Sequence, residues 1–176
     1  MVAWGAALAM LAGCGRVGFE LLDGGVDGGP LQVECEGNEP CSRSCGAAEC
    51  SASCASGSTC TVEGEGGPSL ELACEGAATC AARTEDVDHV RASCAPASSC
   101  QVECEDADVC EVDCAEGASC ELRCSDTAEC RMRCAPGAAC FVRCPAWWDG
   151  RCELEGCDEE VDCGRREVAC GRECPS

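Results

Sequence analysis

Cysteine keeps a ten-residue clock in this chain: from Cys94 to Cys144 every position ending in 4 or 0 is cysteine, a C-x5-C-x3 unit repeated five times. So strict a period is the mark of stacked structural units, each burying its inner face against its neighbours. Run backward to Cys54, the clock misses cysteine at Gly64, Leu70, Thr84 and Val90. Those gaps select the pairing. Bonds to the cysteine four residues on would strand Cys60, Cys74, Cys80 and Cys94, whereas bonds six residues on strand none, because 64 with 70 and 84 with 90 drop out as whole pairs. The expected bridges are therefore Cys54–Cys60, Cys74–Cys80, Cys94–Cys100, Cys104–Cys110, Cys114–Cys120, Cys124–Cys130 and Cys134–Cys140. The same sequential rule on the flanks gives Cys35–Cys41, Cys45–Cys50, Cys144–Cys152, Cys157–Cys163 and Cys170–Cys174.

A conventional core is out of reach. The chain has no Ile, Tyr or Lys, aromatics are 3%, and much of the 46% hydrophobic fraction is Ala and Cys, which bury little area each. With 25 cysteines in 176 residues, disulfides must supply the missing cohesion, and these persist in oxidising compartments outside the cytoplasm.

Within one repeat, such as residues 114–123, the two cysteines and the apolar residue two places after the second share one parity, the alternation of a strand. The apolar place holds Val62, Leu72, Val102, Val112, Leu122, Met132 and Val142, weakening to Ala82 and Ala92, and charged residues flank it. The other half of the repeat carries turn chemistry. Ala135-Pro136-Gly137-Ala138 fits a type II turn, with Gly117, Asp106 and Asp126 in comparable places. Ten residues at roughly 3.3 Å each form a coil about 33 Å around, and flattening it brings opposed cysteines within bonding reach. The expected fold is all-β, a disulfide-ribbed β-solenoid of ten-residue coils. In design, though not in motif, it resembles the disulfide-ribbed solenoids of insect antifreeze proteins. The alternative is an antiparallel meander of disulfide-clamped hairpins, whose cysteine face would have nothing to cover it.

Residues 1–13 form an uncharged apolar run ending in Leu11-Ala12-Gly13-Cys14. This tetrapeptide resembles the lipobox of bacterial lipoproteins, although the run lacks the Lys or Arg usual before such a segment. The resemblance implies a signal peptide over 1–13, lipidation of Cys14, and a lipid anchor in a bacterial membrane on its extracytoplasmic side. Setting Cys14 aside leaves 24 cysteines, an even number that can all pair. Residues 14–34, rich in Gly and Asp, read as a flexible tether, and 35–176 as the repeat domain.

Few residues offer chemistry. The sole histidine, His89, has no base–nucleophile set around it, so no enzyme and no cofactor is expected. Thiolate metal binding is a lesser reading, because C-x-C and C-x-x-C pairs are absent and an exported chain oxidises. Weak calcium binding is a stronger alternative: the net charge is −21, and Glu103, Glu105, Asp106, Asp108, Glu111 and Asp113 concentrate oxygen ligands on what ten-residue coils make two adjacent turns. Ten-residue stacking also predicts two outer ladders, Glu103-Asp113-Arg123-Arg133-Arg143 and Gln101-Glu111-Glu121-Arg131-Phe141, with Asp113–Arg123 and Glu121–Arg131 as ion pairs. Charged faces argue against ice binding, and the acidic balance argues against nucleic acid. Trp147 and Trp148 are a candidate contact site or a cap over the stack. The composite expectation is a membrane-tethered scaffold or interaction surface, its partner an extracellular protein or glycan, with a metal-binding protein as the alternative.

Overall fold

A computed structural model describes residues 30–37, 40–145 and 150–174. They form thirteen strands and no helix: β1 (Leu31–Cys35), β2 (Pro40–Ser44), β3 (Cys50–Cys54), β4 (Thr59–Cys74), β5 (Thr79–Cys94), β6 (Ser99–Glu105), β7 (Val109–Cys114), β8 (Ser119–Ser125), β9 (Glu129–Cys134), β10 (Ala139–Arg143), β11 (Arg151–Glu155), β12 (Glu160–Gly164) and β13 (Glu167–Cys170). β1 already occupies residues 31–34, so the stack begins ahead of Cys35, the expected boundary.

Pairing is parallel from β1 to β11 and builds a β-solenoid, which excludes the antiparallel meander. Its coil, however, is twenty residues and not ten. Cys60 sits beside Cys80, Cys80 beside Cys100, Cys100 beside Cys120 and Cys120 beside Cys140. Each coil therefore holds two repeats, one in each of two facing walls. The first wall runs β1, β3, the ends of β4 and β5, then β7, β9 and β11; the second runs β2, the starts of β4 and β5, then β6, β8 and β10. The reason is steric. A strand and a turn together use up about ten residues and reverse the chain once, and closing a circuit takes two reversals.

The interior is the one the parity requires. Val62, Val102, Val112, Leu122, Met132 and Val142 are all buried, as are Ala82 and Ala92. Between these rungs, sulfur bridges cross from wall to wall. All seven regular pairs lie at bonding distance, with Cα atoms 6.1 Å apart at Cys54–Cys60 and 6.5 Å at Cys104–Cys110. Cys35–Cys41, Cys45–Cys50 and Cys144–Cys152 follow the sequential rule as well. Each rib closes a short ring and contributes about 2 kcal/mol by restricting the unfolded chain.

Where the clock skips, β4 and β5 run unbroken for 16 residues each around what would have been a ribbed edge. Leu70, Val87 and Val90 are buried there. A Cβ on Gly64 would lie 3.1 Å from Leu70 Cδ1 and 3.3 Å from Val87 Cγ2, so the smallest residue makes room for its larger partner. Thr84 is buried and donates its hydroxyl to the carbonyl of Glu103 at 3.3 Å. In both coils aliphatic volume replaces the bridge.

The two ends differ from the middle. In the first coil Arg43 is exposed at the rung position that Val62 takes in the next, a polar end to the stack. At the other end the chain reverses direction: β13 pairs antiparallel with β10, and β12 antiparallel with β13. This hairpin corrects the sequential pairing of the last cysteines. Cys157 bonds Cys170 and Cys163 bonds Cys174, in place of Cys157–Cys163 and Cys170–Cys174. The ten-residue rule fails there because the chain no longer advances coil by coil.

Candidate functional site

The outer faces carry what chemistry the fold offers, and the twenty-residue register rearranges them. On the first wall Glu71, Arg91, Glu111, Arg131 and Glu153 stack directly, alternating in sign. Asp113, Arg133 and Glu155 form a second alternating column beside them. The second wall carries Glu63, Arg83, Glu103, Arg123, Arg143 and Glu167, which alternate except where Arg123 meets Arg143. The ladders expected from ten-residue coils are thus corrected. Residues ten apart face opposite walls, and Asp113 pairs with Arg133 at 3.2 Å in place of Arg123. Glu121 likewise pairs with Arg123 on its own strand, at 2.6 Å, and not with Arg131.

Glu111 is the hub of the first wall. It is the one buried charged residue among the described residues, accepting hydrogen bonds from Arg91 Nη2 at 2.6 Å and Arg131 Nη1 at 3.0 Å, with Arg133 Nη2 at 3.6 Å. The Arg91 hydrogen bond, with the positive charges of Arg91, Arg133 and Arg131, holds its carboxyl below the usual carboxylate range despite burial. Arg131 in turn pairs with Glu129 and lies 3.5 Å from Glu153 and from Glu155. This network is invisible at a spacing of ten and plain at twenty.

The two turn edges are chemically unlike. One is the less charged, carrying Glu75 and Glu116 among mostly small residues, and is built of tight turns: Ala138 N–H donates to Ala135 at 3.0 Å with Gly137 at φ +79°, as the type II pattern requires, and Ala118 repeats this on Ala115 with Gly117 at +74°. Beside this edge a shallow groove of about 600 Å³ is floored by Ala95, Ala115 and Ala135 and walled by Asp113, Arg133 and Glu155. The other edge is acidic. Glu65, Glu85 and Glu105 stack in register, and Asp86, Asp106 and Asp126 hold φ between +52° and +56° at equivalent turn positions. His89 is exposed on this side.

The six carboxylates expected to gather a cation lie within one coil and are spread around it. Glu103 and Glu105 are on β6, Asp106 and Asp108 in the turn, Glu111 and Asp113 on β7. Glu111 and Asp113 are engaged by arginine. The closest groupings of potential metal ligands among the described residues are sulfurs, such as Cys94 with Cys100 and Cys120, and these sulfurs are in disulfides rather than thiolates. Cys14, Trp147 and Trp148 lie outside the described residues. Comparisons with protein-family models, curated proteins and solved structures return no match to this chain.

Proposed function

We propose that this chain is an extracytoplasmic, lipid-anchored repeat protein that acts as a rigid, non-catalytic scaffold or interaction surface, with a protein or glycan as partner on its charged walls. The carrying observation is the ribbing. Disulfides at both edges of the stack tie facing walls together, so the body resists bending and its surface ladders keep a fixed spacing. So many disulfides suit an oxidising environment. The lipobox residues Leu11-Ala12-Gly13-Cys14 and the Gly/Asp-rich segment after them supply an anchor and a tether. The chain's only histidine, His89, is exposed, and this reading assigns it no role.

Fatty-acid labelling in a bacterial host tests the anchor. Wild type is expected to incorporate label and fractionate with membranes, and Cys14→Ser to lose both; continued membrane retention without label would overturn the anchor. Calcium on the acidic edge is the competing reading. Under the scaffold reading the melting temperature is the same with calcium and with chelator, and a calcium-dependent rise favours the competitor.

A further inference from the structure

The arginines are not evenly spent. Of the chain's 12, Arg123, Arg143, Arg165 and Arg172 converge on a single hollow of about 590 Å³ between the second wall and the C-terminal hairpin. Phe141 is part of its lining, with Glu121, Glu167 and the turn at Gly164. Two carboxylates answer two of the guanidinium groups, Glu121 on Arg123 at 2.6 Å and Glu167 on Arg143 at 3.0 Å. Arg165 has no hydrogen-bond or ion-pair partner among the described residues. Arg172 is held 5.7 Å above the Phe141 ring, a cation–π contact that orients it without neutralising it. Within the lining four positive charges face two negative, an excess of two, on a protein whose net charge is −21.

Two departures from local rules meet at this hollow. The sign alternation of the second wall breaks once, and it does so where Arg123 stacks on Arg143. Like charges on adjacent strands destabilise a sheet. The hairpin between β12 and β13 closes with a two-residue loop, Arg165-Arg166, at φ +57° and +61°, a geometry that favours Asn-Gly. Arginine twice in left-handed backbone is costly where glycine or asparagine would be at ease. The stacking of Arg123 on Arg143 and the left-handed backbone of Arg165, the member of the loop pair that lines the hollow, are explained if these guanidinium groups serve a ligand.

We propose that this hollow binds a phosphate monoester. Guanidinium forks match phosphate oxygens in bidentate geometry. A phosphate monoester carries close to two negative charges at neutral pH, equal to the excess of positive charge in the lining, whereas a carboxylate or sulfate ester carries one. The phosphate can belong to a soluble molecule such as a sugar phosphate or to a membrane headgroup. The proposal does not depend on the lipid anchor.

The test uses the full chain carrying Cys14→Ser, so that no acyl group contributes, expressed into an oxidising compartment. Calorimetric titration with glucose 6-phosphate probes the soluble source; sedimentation with phosphatidylcholine vesicles containing phosphatidic acid probes the headgroup. Saturable binding in either arm, weakened by added salt, is expected, and the responding arm identifies the source. Arg165→Asn places a residue at ease in left-handed backbone, so it should fold at least as well while binding about tenfold more weakly. Arg123→Gln, on the opposite side of the hollow, should weaken binding similarly. Absence of saturable binding in both arms, or equal affinity in both variants and the parent, overturns the proposal.

Discussion

The two turn edges of the stack are made from the same ten-residue repeat, yet they solve different problems. Along the less charged edge the bridges Cys54–Cys60, Cys74–Cys80, Cys94–Cys100, Cys114–Cys120 and Cys134–Cys140 occur in successive coils without interruption. Along the acidic edge two coils have none, and Leu70 against Gly64 and Val90 with Thr84 fill the place. A sulfur bridge and an aliphatic side chain are thus exchangeable fillings for the same interior position. They exchange only two cysteines at a time, because a lone cysteine would leave a buried thiol without its partner. The less charged edge also packs mostly small residues into tight turns, whereas the acidic edge stacks Glu65, Glu85 and Glu105 with repulsion as its consequence.

Reduction is the most severe test of that exchangeability. Bridges at about 2 kcal/mol each, repeated along both edges, together exceed the roughly 5–15 kcal/mol net stability of a domain. Reduced chain should therefore lose its β-sheet circular dichroism at 25 °C, and a reduced chain that kept it would show aliphatic packing to be the dominant cohesion throughout. Next in size is Leu70→Ala, which empties the unribbed coil beside a glycine that cannot fill the space. It should cost about 3 kcal/mol in denaturant unfolding. Removing one rib, Cys104→Ala with Cys110→Ala, should cost about 2 kcal/mol, and a markedly smaller loss would mean that the acidic edge does not rely on its bridges.

The wall between the edges gives smaller effects. Glu111→Gln leaves Arg91, Arg131 and Arg133 without their shared carboxylate and should cost about 1 kcal/mol at pH 7, discounted for the exposure of its partners. Because the folded carboxyl titrates below its unfolded value of about 4.3, its contribution is complete above that pH and is lost as pH falls through the lower folded value. Thermal melts from pH 6 to 2 should therefore show wild type and Glu111→Gln converging below about pH 4. Smallest of all, a double-mutant cycle on Asp113 and Arg133 should give a coupling of a few tenths of a kcal/mol, and one on Asp113 and Arg123 none. The reverse outcome would restore the ten-residue coil.

Much of the fold is legible in the cysteines. Their gaps specify the bridges from Cys54 to Cys140, and the parity of Val62, Val102, Leu122 and Val142 specifies what faces inward, because strand alternation leaves two sides and the sulfurs mark one. The coil length is not legible. Two repeats in opposite walls have the same period as one repeat per turn, so Asp113 could not be assigned to Arg133 over Arg123 from spacing alone. The hairpin that crosses Cys157–Cys170 with Cys163–Cys174 is equally hidden, since sequential pairing holds only while the chain winds in one sense.

By itself, then, the sequence determined that sulfur replaces a hydrophobic core, which cysteines of the regular series pair, and which residues fill the rungs, all of them consequences of local spacing on a strand. Tertiary structure alone decided which coil sits on which. That choice set the alternating ladders around Glu111, the contrast between the two edges, and the meeting of Arg123, Arg143, Arg165 and Arg172 in one hollow. These residues lie 20 or more positions apart, or on an antiparallel return, and only the register of pairing brings their charges within reach of one another.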